Sequence, residues 1–256
     1  MKKINKIISF KNKKPLVCLT AYSKPFAKIL DKYCDVILVG DSLATAMLGM
    51  KNTHNVTLDT MIQHGISVSS NIKNAVCVVD MPANSYKNIK QAKRNAKLIF
   101  KKTKCDAVKM ECNGKNYEII KSIVDIGIPV MGHIGFTPQY FKKFKVQGVL
   151  EKNRQDLLVQ AFKNQQAGVF SIVLECIDKT AAKAITKLLK IPTIGIGAST
   201  YCDGQILVTD DMLGLSGFYP KFVKKFVNLN NIIELGAEKY KKAVINKSFP
   251  SKKNTF

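Results

Sequence analysis

The sequence predicts an α/β protein that folds as one (β/α)8 TIM barrel domain over residues 1–256, with short lysine-rich termini. The length of 256 residues is close to the ~250 residues typical of this barrel. Short apolar runs, such as VILV at 36–39, are typical of parallel strands buried on both faces. Eight such runs occur, and helical segments separate most of them, which favours a parallel sheet. A doubly wound open sheet is the alternative fold.

Each predicted strand is a short apolar run that ends near a glycine or a polar residue. The eight strands are Leu16–Thr20, Val36–Gly40, Val76–Asp80, Ala107–Glu111, Pro129–His133, Ser171–Glu175, Ile191–Gly197 and Gln205–Val208. Helices are predicted from the 3.6-residue spacing of apolar positions. They cover Lys24–Lys32, a segment that begins after Thr57 as N-cap, Ile89–Lys101, Tyr117–Val124, Asp156–Gln166, Thr180–Leu189 and a tail after the last strand.

The chain is strongly basic, and its basic residues are nearly all lysines. The net charge is +23, with two arginines, Arg94 and Arg154. Proteins that bind nucleic acids favour arginine for bidentate contacts, and no nucleic-acid motif is present. The composition therefore favours a lysine-rich solvated surface over a nucleic-acid site, and the charge is expected to attract anionic substrates.

Seven cysteines occur without a CxxC pair, and several lie inside apolar runs. This pattern is typical of buried free thiols in a reducing compartment, so we expect a cytoplasmic protein. The basic N-terminal segment is not followed by the apolar stretch of a signal peptide. No apolar run approaches the ~18–20 residues of a membrane span, so no membrane association is predicted.

Ionisable side chains stand where successive strands end. Asp41 and Ser42 follow strand two. Strands three, four, five and six end in Asp80, Glu111, His133 and Glu175. The carboxyl ends of barrel strands meet at one rim, which carries the active site in barrel enzymes. We therefore expect these side chains to converge.

The acids of strands two, three and four suit a hard cation. Neighbouring strands are ~4.8 Å apart, so Asp41, Asp80 and Glu111 can approach one ion. Oxygen ligands favour Mg²⁺, which typically binds one or two carboxylates together with water and substrate. We expect direct bonds from two of the three acids and a water-mediated contact from the third. For Asp41 or Asp80 alone, the alternative is a helix N-cap.

Three further residues complete the predicted chemistry. Lys109 lies two positions before Glu111 and shares its side of strand four. Facing inward it would bind a substrate carboxylate, and facing outward it would be a surface lysine. His133 either belongs to the same pocket or is a structural histidine with its hydrogen bonds satisfied. Glu175, beyond the metal-binding strands, suits a general base, which indicates metal-assisted proton abstraction next to a carbonyl.

The chain resembles the ketopantoate (3-methyl-2-oxobutanoate) hydroxymethyltransferase family from about Leu19 to Pro250. The similarity rests on many segments in the same order. They are LTAY, PFAKILD, VILVGDSL, NVTLDTMIQH, AVKME, IPVMGHIGFTPQ, KVQG, IVLEC, IPTIGIGA, CDGQILV and PKFVKKF.

The resemblance implies a role for each candidate residue. It implies that Mg²⁺ is held by Asp41, Asp80 and Glu111, and that Glu175 is the proton acceptor. The residues implied to bind the 2-oxo acid are Asp41, Ser42, Asp80 and Lys109, with His133 in the same pocket.

The resemblance also implies the reactants and the assembly. The acceptor would be 3-methyl-2-oxobutanoate and the one-carbon donor 5,10-methylenetetrahydrofolate. The product would be ketopantoate, in the pantothenate branch of coenzyme A synthesis. The oligomer would be a homodecamer.

Some positions depart from the family pattern, and two other functions remain open. The departures are Ala44, Ala83, Cys112, Lys142, Lys143 and Asp210. They affect the expected pocket walls and a loop, so rate and substrate preference are less defined than reaction type. The first alternative is a Mg²⁺-dependent lyase or mutase that acts on another 2-oxo acid. The second is a basic barrel that binds nucleic acid.

Overall fold

The structure is a computed structural model that describes residues 1–141, 144–217 and 219–256. Lys142 and Lys143, two of the departures, lie outside the described residues. The chain divides into two compact units, Met1–Thr209 and Asp210–Phe256. That residues 1–256 form one domain stays a prediction.

The first unit contains a closed barrel of eight parallel strands in sequence order, with β8 paired to β1. The predicted (β/α)8 fold is confirmed, and the open-sheet alternative is wrong. The strands are β1 Leu16–Thr20, β2 Val36–Val39, β3 Val76–Asp80, β4 Ala107–Glu111, β5 Val130–Gly135, β6 Ser171–Glu175, β7 Thr193–Ile196 and β8 Gly204–Leu207.

Helices connect most of the strands. They are α1 Lys2–Ser9, α2 Lys24–Leu30, α3 Leu43–Ala46, α4 Leu58–Ser69, α5 Ile89–Thr103, α6 Tyr117–Val124, α7 Glu151–Gln166, α8 Lys179–Leu188, α9 Thr209–Leu213 and α10 Leu229–Ile245. The predicted cap of α4 is confirmed, since Thr57 Oγ1 accepts a hydrogen bond from the Thr60 N–H. Among the described residues, no helix is long and apolar enough to cross a membrane.

The start of helix α7 differs most from the prediction, and several other boundaries differ by one or two residues. Helix α7 begins at Glu151, whereas the predicted helix began at Asp156. The prediction began too late because the first turn is polar and shows no apolar periodicity. That turn is closed by hydrogen bonds from Arg154 and Gln155 to the Glu151 carboxylate, each 2.7 Å long. Strand β5 continues to Gly135, two residues beyond His133.

The lysine-rich N-terminal segment is a helix, α1, which was not predicted from the sequence. Ile4 and Ile7 are buried and belong to the apolar cluster that fills the barrel interior. Their i, i+3 spacing is the helical signal, which the surrounding lysines obscured. The segment is therefore part of the core rather than a solvated terminus.

The barrel strands alternate between two apolar clusters. Val78 and Val173 belong to the interior cluster, whereas Val79 and Leu174 face the layer of helices. Successive strand residues point to opposite sides, so positions two residues further on face inward again. In β3 and β6 those positions are Asp80 and Glu175. The interior thus changes from apolar to ionisable at the carboxyl ends of the strands.

Replacing Ile7 by alanine should lower the free energy of unfolding by about 2–5 kcal/mol, because it leaves a cavity in the apolar cluster of the barrel interior. Ile7 is 2% exposed, whereas Ile29 on α2 is 58% exposed. Ile29→Ala is the matched control and should change stability by roughly 0.5 kcal/mol or less. Urea unfolding measures both. Equal effects would show that α1 does not contribute to the core.

Candidate active site

The register of the barrel places the predicted residues side by side. Lys109 of β4 is paired with Asp80 of β3, and Glu111 is paired with His133 of β5. Glu175 of β6 is paired with Gly135. Because parallel strands keep paired residues on the same side of the sheet, these side chains meet at one rim.

A buried ion pair lies at the centre of the site. Lys109 Nζ donates to Asp80 Oδ1 at 2.8 Å, and both side chains are buried. The other oxygen, Asp80 Oδ2, accepts the backbone N–H of Asp41 at 2.9 Å. Lys109 therefore faces inward. Asp80 does not cap a helix, since its two oxygens bind a lysine and the residue after strand β2.

Asp41 and Ser42 form a tight turn directly after β2. Asp41 Oδ2 accepts a hydrogen bond from Gln139 Nε2 at 2.8 Å, so it does not cap a helix either. Ser42 Oγ lies 2.8 Å from the Tyr22 hydroxyl. A Cβ at Gly40 would lie 2.7 Å from Ser42 Oγ, so glycine leaves the room that this hydroxyl occupies.

His133 lies between two carboxylates. Its Nδ1 is 3.7 Å from Glu111 Oε1, and its Nε2 is 3.2 Å from Glu175 Oε2. Although 3.2 Å is within reach of a hydrogen bond, neither buried ring nitrogen has a partner of hydrogen-bonding geometry among the described residues. The satisfied structural histidine considered from sequence is therefore not what the fold contains.

Burial and mutual repulsion raise the pKa values of two acids. Burial, followed by the charge of Asp80, raises the pKa of Asp41 to about 7, against the opposing effects of Lys109 and Gln139. Burial, followed by the charge of Asp41, raises the pKa of Glu111 well above its ordinary value. At both acids, burial and the neighbouring carboxylates thus outweigh the opposing charge of Lys109.

The pKa values of the two basic groups, Lys109 and His133, shift in opposite directions. Burial would lower the pKa of Lys109, but Asp80, Asp41 and Glu111 outweigh it and raise this pKa above the ordinary value. Burial and the nearby Lys109 charge lower the pKa of His133, although Glu175 opposes them. Near neutral pH the site therefore contains a charged lysine and a neutral imidazole.

The backbone beside Glu175 is sterically constrained. Gly135 has φ +97°, and a Cβ there would lie 2.2 Å from the Glu175 carbonyl oxygen. Cys176, directly after Glu175, has φ +51°, which is uncommon for a residue other than glycine. The Phe136 N–H donates to the same carbonyl at 2.8 Å. These contacts hold the Glu175 backbone in place at the end of β6 and thereby position its side chain at the rim.

Two side chains of the site, Gln139 and Tyr86, were not predicted from the sequence. Gln139 donates through its amide to Asp41 and through its backbone N–H to Glu111 Oε2 at 2.9 Å. The Tyr86 hydroxyl donates to Gln139 Oε1. Gln139 ends the segment IPVMGHIGFTPQ, so the resemblance contained the signal, but an uncharged side chain in a loop suggested no chemistry.

The departures from the family pattern have different surroundings. Ala44 is fully buried in α3, and Ala83 follows β3. The buried Cys112 thiol donates to Asn164 Oδ1 at 2.6 Å, so it packs behind β4. Asp210 belongs to the second unit.

The acids suit a hard cation by chemistry. Within the described part of the chain, no group of three or more His, Cys, Asp and Glu side chains is arranged to hold a metal ion. Magnesium sites, however, typically use one or two protein carboxylates completed by water and substrate. Asp41 and Asp80 are two such carboxylates. Burial, followed by repulsion from a neighbouring carboxylate, raises the pKa values of Asp41 and Glu111, and a divalent cation beside them would favour their ionised forms.

Comparisons by sequence identify close relatives. The model of the family described as ketopantoate hydroxymethyltransferase matches residues 1–252. A 3-methyl-2-oxobutanoate hydroxymethyltransferase of Pelagibacter ubique is 49% identical over 255 residues, covering 100% of this chain and 99% of that protein. One from Thermosipho africanus is 48% identical, covering 99% of this chain and 97% of that protein.

Solved structures share the fold at low sequence identity. Phosphonopyruvate hydrolase, in a complex with oxalate and Mg²⁺, superposes with a TM-score of 0.63 at 12% identity, covering 99% of this chain and 93% of that one. 2,3-Dimethylmalate lyase, a member of the PEP mutase/isocitrate lyase superfamily, gives 0.64 at 13% identity, covering 99% and 91%. These similarities concern the fold alone.

In the metal-free protein, the free energy of unfolding should fall as pH rises, because Asp41 then ionises in a buried position. Its pKa is about 7 when folded and about 3.9 in an unfolded chain. The folded state therefore binds more protons between these values, and the free energy of unfolding falls with rising pH. Asp41→Asn removes this contribution. In urea unfolding with EDTA, wild type should lose about 2–3 kcal/mol relative to the variant between pH 5 and 8.

The exposed carboxylate Asp59 provides the control for this measurement. Asp59→Asn should follow the wild-type pH dependence. A stability difference between wild type and Asp41→Asn that stays constant from pH 5 to pH 8 would contradict the raised pKa.

Proposed function

We propose, since the chain belongs to the ketopantoate hydroxymethyltransferase family, that its rim site transfers a hydroxymethyl group from 5,10-methylenetetrahydrofolate to 3-methyl-2-oxobutanoate. The product is ketopantoate, in pantothenate biosynthesis. The observation that supports a site at this rim is the buried cluster of Asp41, Asp80, Glu111 and Lys109 next to His133 and Glu175. The cluster brings together the positive charge of Lys109, carboxylate oxygens that could bind a metal ion, and the proposed base Glu175 at the end of the barrel.

The 2-oxo acid would bind where positive charge and hydroxyl groups meet. Lys109 supplies a buried positive charge, which attracts a carboxylate in this dry environment more strongly than in water. Ser42, next to the Tyr22 hydroxyl, can donate to the same carboxylate. The neutral imidazole of His133 carries one ring N–H, which can donate a hydrogen bond to a substrate oxygen.

Asp41 and Asp80 would hold Mg²⁺ directly, with Glu111 through water. When bound, the ion supplies Lewis-acid polarisation of the keto group, which makes the C3 proton more acidic. Asp80 is kept ionised and oriented by Lys109 and the Asp41 N–H. Glu111 is oriented by the Gln139 N–H.

Glu175 would accept the C3 proton. Its side chain is 16% exposed, whereas that of Glu111 is 2% exposed, so Glu175 stands at the open edge of the cluster. His133, 3.2 Å away, limits the positions that the carboxylate can take. Once the proton is on a Glu175 oxygen, the electron pair at C3 forms the new carbon–carbon bond to the methylene carbon of the folate. Both bonds from that carbon to the folate nitrogens break, water supplies the hydroxyl oxygen, and tetrahydrofolate leaves.

The assembly and location remain parts of the same proposal. A homodecamer follows from the family resemblance. The cytoplasm is supported by seven free and buried cysteines, which suit a reducing compartment. A Mg²⁺-dependent lyase or mutase is not favoured, because the similarity to 2,3-dimethylmalate lyase concerns the fold alone. Nothing in the rim cluster favours nucleic-acid binding.

Glu175→Gln should slow exchange of the C3 proton of 3-methyl-2-oxobutanoate by about 10²–10⁴-fold, since the amide cannot accept the proton. Proton NMR in D₂O with Mg²⁺ follows this exchange without the folate. Binding of the oxo acid should change little, because the variant keeps the size of the side chain. Glu118→Gln, on the exposed face of α6, is the control and should exchange at the wild-type rate.

Near-normal exchange in Glu175→Gln would exclude Glu175 as the base. Wild-type exchange of other 2-oxo acids but not of 3-methyl-2-oxobutanoate would instead favour the lyase or mutase alternative. Wild-type exchange that persists in EDTA would exclude the metal from the proposal.

A further inference from the structure

Gln139 connects three strands of the candidate active site. It lies in the loop after β5, and its amide donates to Asp41 Oδ2 at 2.8 Å and to the Met81 carbonyl at 3.1 Å. Its backbone N–H donates to Glu111 Oε2 at 2.9 Å. One residue thus contacts the carboxylate of Asp41 after β2, the carboxylate of Glu111 at the end of β4 and the Met81 backbone after β3.

The orientation of the Gln139 amide follows from its partners. Tyr86 is buried, and its hydroxyl donates to Gln139 Oε1. The amide oxygen is therefore on the Tyr86 side. Asp41 and the Met81 carbonyl offer only acceptors to the other side, which requires the NH₂ group. A flipped amide would place oxygen against oxygen at Asp41 and Met81.

The loop that carries Gln139 is also anchored outside the site. His54 Nε2 lies 2.8 Å from the Pro138 carbonyl oxygen. The Tyr140 N–H donates to the Thr137 carbonyl at 2.9 Å. The first contact ties the loop to His54, and the second closes a turn around Gln139 within the loop.

These hydrogen bonds occupy one oxygen on each of two carboxylates. Oδ2 of Asp41 and Oε2 of Glu111 accept from Gln139. The direction of the second oxygen of each carboxylate is thereby fixed as well. Hydrogen bonds to ligand carboxylates preserve their orientation, and their loss typically weakens metal binding by 10–100-fold.

We propose that Gln139 is a positioning residue for the divalent cation, with Tyr86 fixing its amide. Gln139 orients the carboxylates of Asp41 and Glu111 without itself binding the metal or the substrate. The inference rests on the proposed function, since it presumes a cation at these acids.

Titration of the purified protein with Mn²⁺, followed by electron paramagnetic resonance, tests the role without turnover. Mn²⁺ uses the same oxygen ligands as Mg²⁺. Gln139→Met keeps most of the side-chain volume but removes the amide, and it should weaken Mn²⁺ binding by about 10–100-fold. Tyr86→Phe should weaken it in the same direction by less, because the amide then loses only its orienting donor.

Gln147→Ala is the control on the same loop. The Gln147 side chain donates to the Lys145 carbonyl at 3.0 Å and should leave Mn²⁺ affinity unchanged. Thermal unfolding in EDTA checks that each variant is folded.

The outcomes separate this inference from the proposed function. A folded Gln139→Met protein with wild-type Mn²⁺ affinity would overturn the positioning role of the Gln139 amide at Asp41 but not the proposed function, as would a loss of stability without a loss of affinity. The backbone N–H to Glu111 is kept in this variant. Failure of the wild-type protein to bind Mn²⁺ would overturn both this inference and the metal-dependent function.

Discussion

The ion pair between Lys109 and Asp80 is the interaction on which the site depends. The strand register places these residues opposite each other, and barrel closure buries both. Lys109 also lowers the electrostatic cost of Asp41 and Glu111 nearby. Removing one member of a buried pair leaves an uncompensated charge, which typically costs 3–5 kcal/mol. The charge of Lys109 thus allows several acids to share one rim.

The same cluster is a source of instability. Several carboxylates are buried at the rim beside one lysine, and burial, followed by the charge of Asp80, raises the pKa of Asp41 to about 7. Such an arrangement is retained where function requires it, since buried charges without full compensation are unfavourable. A cation and an anionic substrate would each restore part of the balance, so we expect ligand binding and stability to be coupled.

The sequence predicted the barrel and the strand ends because buried parallel strands and their terminal acids are local features. The spacing of Lys109 from Glu111 predicted that both share one side of β4 but left open whether that side faces inward, since uniformly apolar strands hide which face is interior. Helix α1 was missed because lysines surround Ile4 and Ile7. The contacts of Gln139 depend on a loop conformation far from Asp41 in sequence, which local patterns do not encode.

A crystal structure with Mg²⁺ and 3-methyl-2-oxobutanoate tests the central claim most directly, namely that acids from successive strands share one cation beside the substrate. We predict Mg²⁺ bound by Asp41 and Asp80, the substrate carboxylate near Lys109, and Glu175 within reach of C3. A cation bound away from Asp41 and Asp80, or an oxo acid bound outside the barrel rim, would contradict the account.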